Sequence, residues 1–173
     1  PARQLAIEIG PGEGGFLPSL ASRFERVVGL DNAEAMLERA RQQCQDAGLD
    51  NVDCLLADAL LPQQLPLADC VVCNMVLHHM PAPAEALKRF AALLKPGGSL
   101  VLTELCSHDQ SWVRDSCGDL WLGFDQDDIA RWAEAAGLRP GNSQYIGLRN
   151  GFQLQLLQLA KPESPSPEDR KDP

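Results

Sequence analysis

The stretch AIEIGPGEGGFLPSL, residues 6–20, decides the fold. Apolar Ala6, Ile7 and Ile9 lead into Gly10, Gly12, Gly14 and Gly15, and Phe16, Leu17, Leu20 and Phe24 then recur at helical spacing. Pro18 is compatible with a helix because it falls in the first turn, where its missing N–H would have no partner anyway. A buried strand that breaks into a glycine loop and opens a helix is the first unit of a doubly wound α/β sheet.

The same alternation continues outward. Apolar runs predict strands over 5–9, 26–30, 52–57, 68–74, 99–105, 139–148 and 152–160. Helical stripes fall over 16–24, 33–47, 82–94 and 125–136, the second capped by Asp31 or Asn32 and stopped by Gly48. The third is expected to end at the Pro96-Gly97-Gly98 turn and the fourth at Gly137, and Asn150-Gly151 marks a hairpin between the last two strands. Strands alternating with helices predict a Rossmann-like three-layer α/β/α sandwich. Its sheet should be mostly parallel and seven-stranded, with an antiparallel C-terminal hairpin strand. Residues 1–161 read as one domain, and PESPSPEDRKDP (162–173) as a disordered polar tail. The chain starts only four residues before its first strand, which suggests a piece of something longer.

Composition narrows the class of function. The formal net charge of −9 disfavours direct nucleic-acid binding through a basic surface. No apolar run approaches the ~20 residues of a membrane helix, and no signal peptide is visible, so a soluble cytoplasmic protein is expected. Cys44, Cys54, Cys70, Cys73, Cys106 and Cys117 are scattered and read as reduced thiols. Cys70 and Cys73 form a CxxC, but residues three apart on a strand face opposite ways and cannot readily share an ion. No metal site is expected.

Ligands of open α/β sheets bind beyond the carboxyl ends of the strands. Gly10, Gly12 and Gly15 fit G-x-G-x-x-G, with the acid Asp31 about twenty residues on. That pattern suits a nicotinamide or flavin dinucleotide, and equally S-adenosylmethionine, since all carry adenosine. The neighbouring acids separate the two. Glu8 and Glu13 would repel a pyrophosphate, whereas Glu8, Asp31 and Asp58 as an acidic rim suit a ligand bearing a sulfonium and an ammonium.

Five ordered segments, EIGPGEGGF, VVGLDNAEAML, LLADALL, NMVLHHMPAP and LLKPGGSLVLTEL, resemble the motifs of class I S-adenosylmethionine-dependent methyltransferases. The resemblance implies that S-adenosylmethionine is the cofactor. It implies that the loop around Gly10, Gly12 and Gly14 wraps its methionine part, that Asp31 binds the ribose, that Asp58 and Ala59 meet the adenine, and that Asn74 and the residues after it, Met75 first, line the transfer side; Glu8, Pro11, Asn32 and Met36 are further expected cofactor-binding residues. Residues 107–138 resemble, more narrowly, methyltransferase domains fused behind winged-helix repressors of the ArsR type, through His108, Asp109, Arg114 and Leu122-Gly123-Phe124. No repressor domain is present in this chain, so association with a winged-helix DNA-binding partner is an expectation only.

Methyl transfer needs an aligned acceptor, exclusion of water and sometimes removal of a proton. His79, His108 and Asp109 are the expected catalytic residues, with His78 and Tyr145 as further candidates beyond the strand ends. Trp132 shares a helix stripe with Ile129 and reads as core. A small-molecule acceptor is expected. Two other readings stay open: a module that senses the cofactor or its demethylated product without catalysis, and an NAD(P)-dependent reductase. Arsenic methylation would need cysteines converging at one cleft, and only Cys106 and Cys117 lie near it.

Overall fold

The computed structural model describes residues 3–62 and 64–163, the side chains of 114–116 excepted. Arg114's side chain and the expected tail beyond 163 lie outside the described residues. The strands are β1 (Leu5–Ile9), β2 (Arg26–Asp31), β3 (Val52–Leu56), β4 (Ala68–Asn74), β5 (Leu94–Leu105), β6 (Arg139–Gly147) and β7 (Gln153–Ala160). The helices are α1 (Leu17–Ala21), α2 (Glu34–Asp46), α3 (Pro83–Ala92), α4 (Trp112–Cys117) and α5 (Gln126–Ala135), with a 3₁₀ turn at Leu77–His79.

All seven strands join one sheet in the order β3-β2-β1-β4-β5-β7-β6. The first five pair in parallel, while β7 runs antiparallel to both β5 and β6. This is the expected α/β/α architecture. Within the C-terminal hairpin the antiparallel strand is β7, inserted beside β5, and β6 forms the rim with every residue exposed.

β1 is buried at all five positions because helices cover both faces of the sheet. Its side chains divide between two cores. Ile7 and Ile9 join Val28, Leu30, Leu87, Phe90 and Ile129 on one face, while Ala6 joins Leu17, Leu20, Val27, Ala40 and Val72 on the other. Cys73 belongs to the first core and Cys70 packs on the second, as period-two alternation requires. Trp132 packs on the first core, as its helix stripe implies.

The Pro96-Gly97-Gly98 turn lies inside β5 rather than before it. Ala68 pairs with Leu94 and Cys70 with Ser99, so residues 95–98 bulge opposite the single residue Asp69. Asp69 holds the bulge: it accepts from Lys95 Nζ at 2.8 Å and from the Gln4 and Leu5 amides at 2.9 Å each. A Cβ on Gly98 would lie only 3.0–3.2 Å from the carbonyl oxygens of Lys95, Ala68 and Asp69. The polar stretch after β5 contains α4 and is tied back to the sheet by a bridge between Cys106 and Phe124.

β1 is flanked by β2 on one side and β4 on the other, so strand order reverses between β1 and β4. A crevice must open at the carboxyl ends of these two strands, because the connecting helices leave to opposite faces there.

Candidate active site

A cleft of about 700 Å³ occupies that position. Pockets for small ligands span roughly 300–1,000 Å³. The end of β1 contributes Ile9, Gly10 and Gly12, the end of β2 contributes Leu30, Asp31 and Asn32, and α2 contributes Met36. Ala57, Asp58, Ala59 and Leu60 follow from β3, and Met75, Val76, His79, Met80 and Pro81 from β4.

The glycines of the loop do different work. Gly10 has φ +63°, and a Cβ there would stand 2.7 Å from Val76 Cγ2. At Gly14, φ +87°, an added Cβ would stand 3.0 Å from the Ala40 Cα, so this glycine serves the approach of the loop to α2 and does not line the cleft. At Gly12, φ +55°, the place a Cβ would take has nothing within 4 Å, so the residue gives the cleft bare, left-handed backbone open to a ligand. Pro11 is buried over Gly29 of β2 and is likewise absent from the wall.

Asp31 ends β2 and turns the chain into α2. One carboxylate oxygen accepts the Ala33 amide at 2.9 Å, and the backbone carbonyl accepts the Ala57 amide at 2.8 Å. The Asp31 and Asp58 walls are therefore joined through the backbone. Asp58 accepts from the Leu60 amide at 2.9 Å, which shapes the turn carrying Ala59 into the cleft. Met75 has φ +56° and is the one non-glycine residue with positive φ among those described. Such a conformation costs on the order of 1–3 kcal/mol and marks functional sites.

Glu8 does not join the acidic rim. It lies on the face of β1 shared with Ala6, is only 2% exposed, and its Oε2 has no hydrogen-bond partner. Burial raises its carboxyl from 4.5 to about 7. Asn74 is exposed at the end of β4 and outside the cleft wall.

Of the three expected catalytic residues, only His79 lines the cleft. His108 packs edge-on against Phe152 at 4.8 Å, and its Nδ1 accepts the Gln110 amide at 3.2 Å. Asp109 is exposed beside it. The structure brings neither to the wall, because the segment after β5 turns to the β7 side before reaching α4. Tyr145 lies on the exposed rim strand β6.

The 3₁₀ turn carrying His78 and His79 is braced by residues that sequence reasoning did not single out. His78 Nδ1 lies 2.7 Å from Glu104 Oε2 on β5, and both side chains are buried. The Leu120 and Trp121 amides donate to the His78 carbonyl at 3.0 and 3.3 Å, and Trp121 Nε1 donates to the Met80 carbonyl at 2.9 Å. Burial depresses the His78 imidazole, but the hydrogen bond to Glu104 and the charges of Glu104 and Asp119 outweigh it and raise it above its ordinary value. A signal for Glu104 exists: it continues the inward alternation of Leu100 and Leu102 on β5, so a carboxylate stands where the pattern calls for an apolar side chain. Asp119 lies in an aperiodic polar stretch and gives no such signal.

Fold and cleft together define a class: a doubly wound α/β domain with an open crevice at its topological switch point. A family model described as a methyltransferase domain matches residues 7–102. The chain belongs to that family. It is 32% identical over 108 residues to a ubiquinone biosynthesis O-methyltransferase of Idiomarina loihiensis, covering 62% of this chain and 44% of that protein. It is 26% identical over 165 residues to the Coxiella burnetii protein of the same name, covering 86% and 70%. Among solved structures, the N-methyltransferase NodS of Bradyrhizobium japonicum in complex with S-adenosylhomocysteine superposes with a TM-score of 0.77 at 22% identity, covering 94% of this chain and 80% of that one. The chain thus spans less than half the length of the Idiomarina relative.

The residues present fit S-adenosylmethionine, the cofactor of this family. The wall offers two carboxylates, Asp31 and Asp58, open backbone at Gly12, and no lysine or arginine among the described residues. That donor set suits a ligand with hydroxyl, amino and cationic groups better than a pyrophosphate.

Proposed function

We propose that this chain transfers a methyl group from S-adenosylmethionine to a small-molecule acceptor. The observation that carries this reading is the carboxylate-walled cleft at the β1/β4 reversal, floored by Gly10 and Gly12. When bound, the cofactor supplies an electrophilic methyl group on a sulfonium. Asp31 accepts the ribose hydroxyls with the carboxylate oxygen that the Ala33 turn leaves available. The Asp58-Ala59 turn meets the adenine, and Gly12 lets backbone approach the amino-acid end. Met75, Met80 and Pro81 supply apolar wall that excludes water on the transfer side. His79 is the imidazole on that side of the wall, placed to hold an acceptor hydroxyl or amine. An oxygen acceptor is favoured by the two relatives named as O-methyltransferases.

The finer placement among methyltransferase domains associated with ArsR-type regulators is supported by residues 107–138, and cytoplasmic residence by six cysteines that are all unpaired. No helix among the described residues is long and apolar enough to cross a membrane. On this reading any DNA contact belongs to a partner domain, since this chain carries a net charge of −9.

Calorimetric titration with S-adenosylmethionine, S-adenosylhomocysteine and NADH tests the reading. Binding of the two sulfur ligands alone, weakened at least about tenfold in Asp31→Ala, is expected. Binding of NADH alone would overturn it. Binding without turnover on a panel of hydroxylated and aminated acceptors would favour the sensing module.

A further inference from the structure

Behind His79 lies a cluster whose geometry the methyl-transfer reading leaves unexplained. His78 Nε2 is 3.7 Å and His79 Nδ1 is 3.8 Å from the same atom, Asp119 Oδ1. These contacts exceed hydrogen-bond reach, so no proton bridges them. Asp119 is 7% exposed, yet its Oδ1 has no hydrogen-bond partner. A buried carboxylate oxygen without a partner is costly, and each such atom calls for a physical reason.

Glu104 supplies the second half of the pattern. Its carboxylate faces His78 Nδ1 at 2.7 Å, from a side chain with no exposed surface. A proton on Nδ1 satisfies that contact and leaves Nε2 facing another carboxylate oxygen, a face that takes either a second proton or a metal cation. Two electron-rich atoms held face to face in a dry site are stabilised by a cation between them. Histidines that ligate metals characteristically give their other N–H to a carboxylate in this way.

The geometry points to a divalent-metal site formed by His78 Nε2, His79 Nδ1 and Asp119 Oδ1, with Glu104 fixing the tautomer of His78 from behind. The three ligand atoms lie within 4.8 Å of one another. Ligands about 2.0–2.1 Å from a tetrahedral zinc sit roughly 3.3 Å apart, so the two contacts to Asp119 need to close by about half an ångström and the pair of imidazole nitrogens by up to about 1.5 Å, which a turn of the exposed His79 ring supplies. Two imidazoles and one carboxylate select zinc or another late first-row ion over magnesium or calcium, which prefer all-oxygen shells. Three protein ligands leave a position open, and His79, 45% exposed on the cleft wall, provides the entry path. The ion would border the side of the cleft where the acceptor is placed above. The site itself stands on its ligands and holds whether or not the reaction is methyl transfer.

The test uses the full chain after chelator treatment, titrated with Zn²⁺ by calorimetry and with Co²⁺ by visible absorption. One ion per chain is expected, with the intense d–d bands of a four- or five-coordinate cobalt and no sulfur-to-cobalt charge-transfer band. Saturating Zn²⁺ should raise the Tm. His79→Ala and Asp119→Asn should each abolish stoichiometric uptake and the Tm shift, and Glu104→Gln should weaken binding about 10–100-fold. His79→Ala alters an exposed side chain, so it reads the site even if the buried variants fail to fold. The proposal is overturned if the stripped chain takes up no ion, if His79→Ala binds as the wild type does, or if a charge-transfer band assigns the ion to cysteine.

Discussion

The ring of Pro11 sits where a side chain on Gly29 would begin: a Cβ built on Gly29 comes within 3.1 Å of Pro11 Cγ. Gly29 is in the middle of β2 and Pro11 in the glycine loop after β1. The loop is thus set against the sheet by a glycine outside its own motif. Gly29→Ala should push Pro11 outward by a few tenths of an ångström and carry Gly10 and Gly12 with it. The expected result is a stability loss of about 1–2 kcal/mol and cofactor affinity reduced by about tenfold, read by chemical denaturation and calorimetry.

Glu8 gives the ligand-free chain a pH-dependent stability of definite sign. Its carboxyl is raised from 4.5 to about 7 in the fold by burial. Below the unfolded value both states are protonated and the group contributes nothing. As pH rises toward 7 the unfolded chain ionises first, and the fold loses up to about 3 kcal/mol relative to acid pH. Glu8→Gln should flatten the stability profile between pH 5 and 7.5 (a range of about 2–3 units) and leave the variant more stable than wild type at the alkaline end. Equal slopes for the two proteins in urea denaturation would contradict this.

Asp69 acts in the opposite sense. Burial pushes its carboxyl up, but the hydrogen bonds from Lys95 and from the Leu5 and Gln4 amides, with the charge on Lys95, outweigh it and hold the group below its ordinary value. The stability it contributes is present above its unfolded pKa and lost as pH falls through the folded one. Asp69→Ala frees the β5 bulge and strands the Leu5 amide. A loss of about 3 kcal/mol at neutral pH is expected, shrinking toward acid pH, as thermal melts across the range would show.

Met75 holds positive φ on the cleft wall, and its amide donates to the Thr103 carbonyl at 2.9 Å. Met75→Gly removes the backbone strain and the apolar wall together. Stability should change by less than about 1 kcal/mol because the two effects oppose. Affinity for S-adenosylhomocysteine should fall severalfold. A large drop in Tm without a change in affinity would place the side chain's role in packing alone.

Most of the sheet and the cofactor side of the cleft are legible in the sequence, because each strand ends in a residue with a distinctive backbone or charge requirement. Gly10 and Gly12 need left-handed φ, and Asp31 and Asp58 close apolar runs. What is not legible depends on contacts distant in sequence. That Gly14 meets Ala40 rather than the cleft follows from how α2 packs on the loop. The position of β7 between β5 and β6 depends on pairs distant in sequence, from Leu105 with Leu154 to Ser99 with Ala160. His108 is a histidine beyond a strand end like His79, and only the turn of the chain toward Phe152 separates them.

All of the cleft wall comes from residues 9–81, whereas the turn bearing His79 is steadied from outside it, by Glu104 on β5 and by the Asp119–Trp121 corner. On the proposed reading, the residues that grip the cofactor and those that face the acceptor share one stretch of the gene, and a later stretch braces them. Exchanging the stretch between β5 and α5 would therefore leave the Asp31 and Asp58 walls in place but release the His79–Met80 turn that Leu120 and Trp121 hold. That makes the corner at Asp119 the natural place to engineer a new acceptor preference.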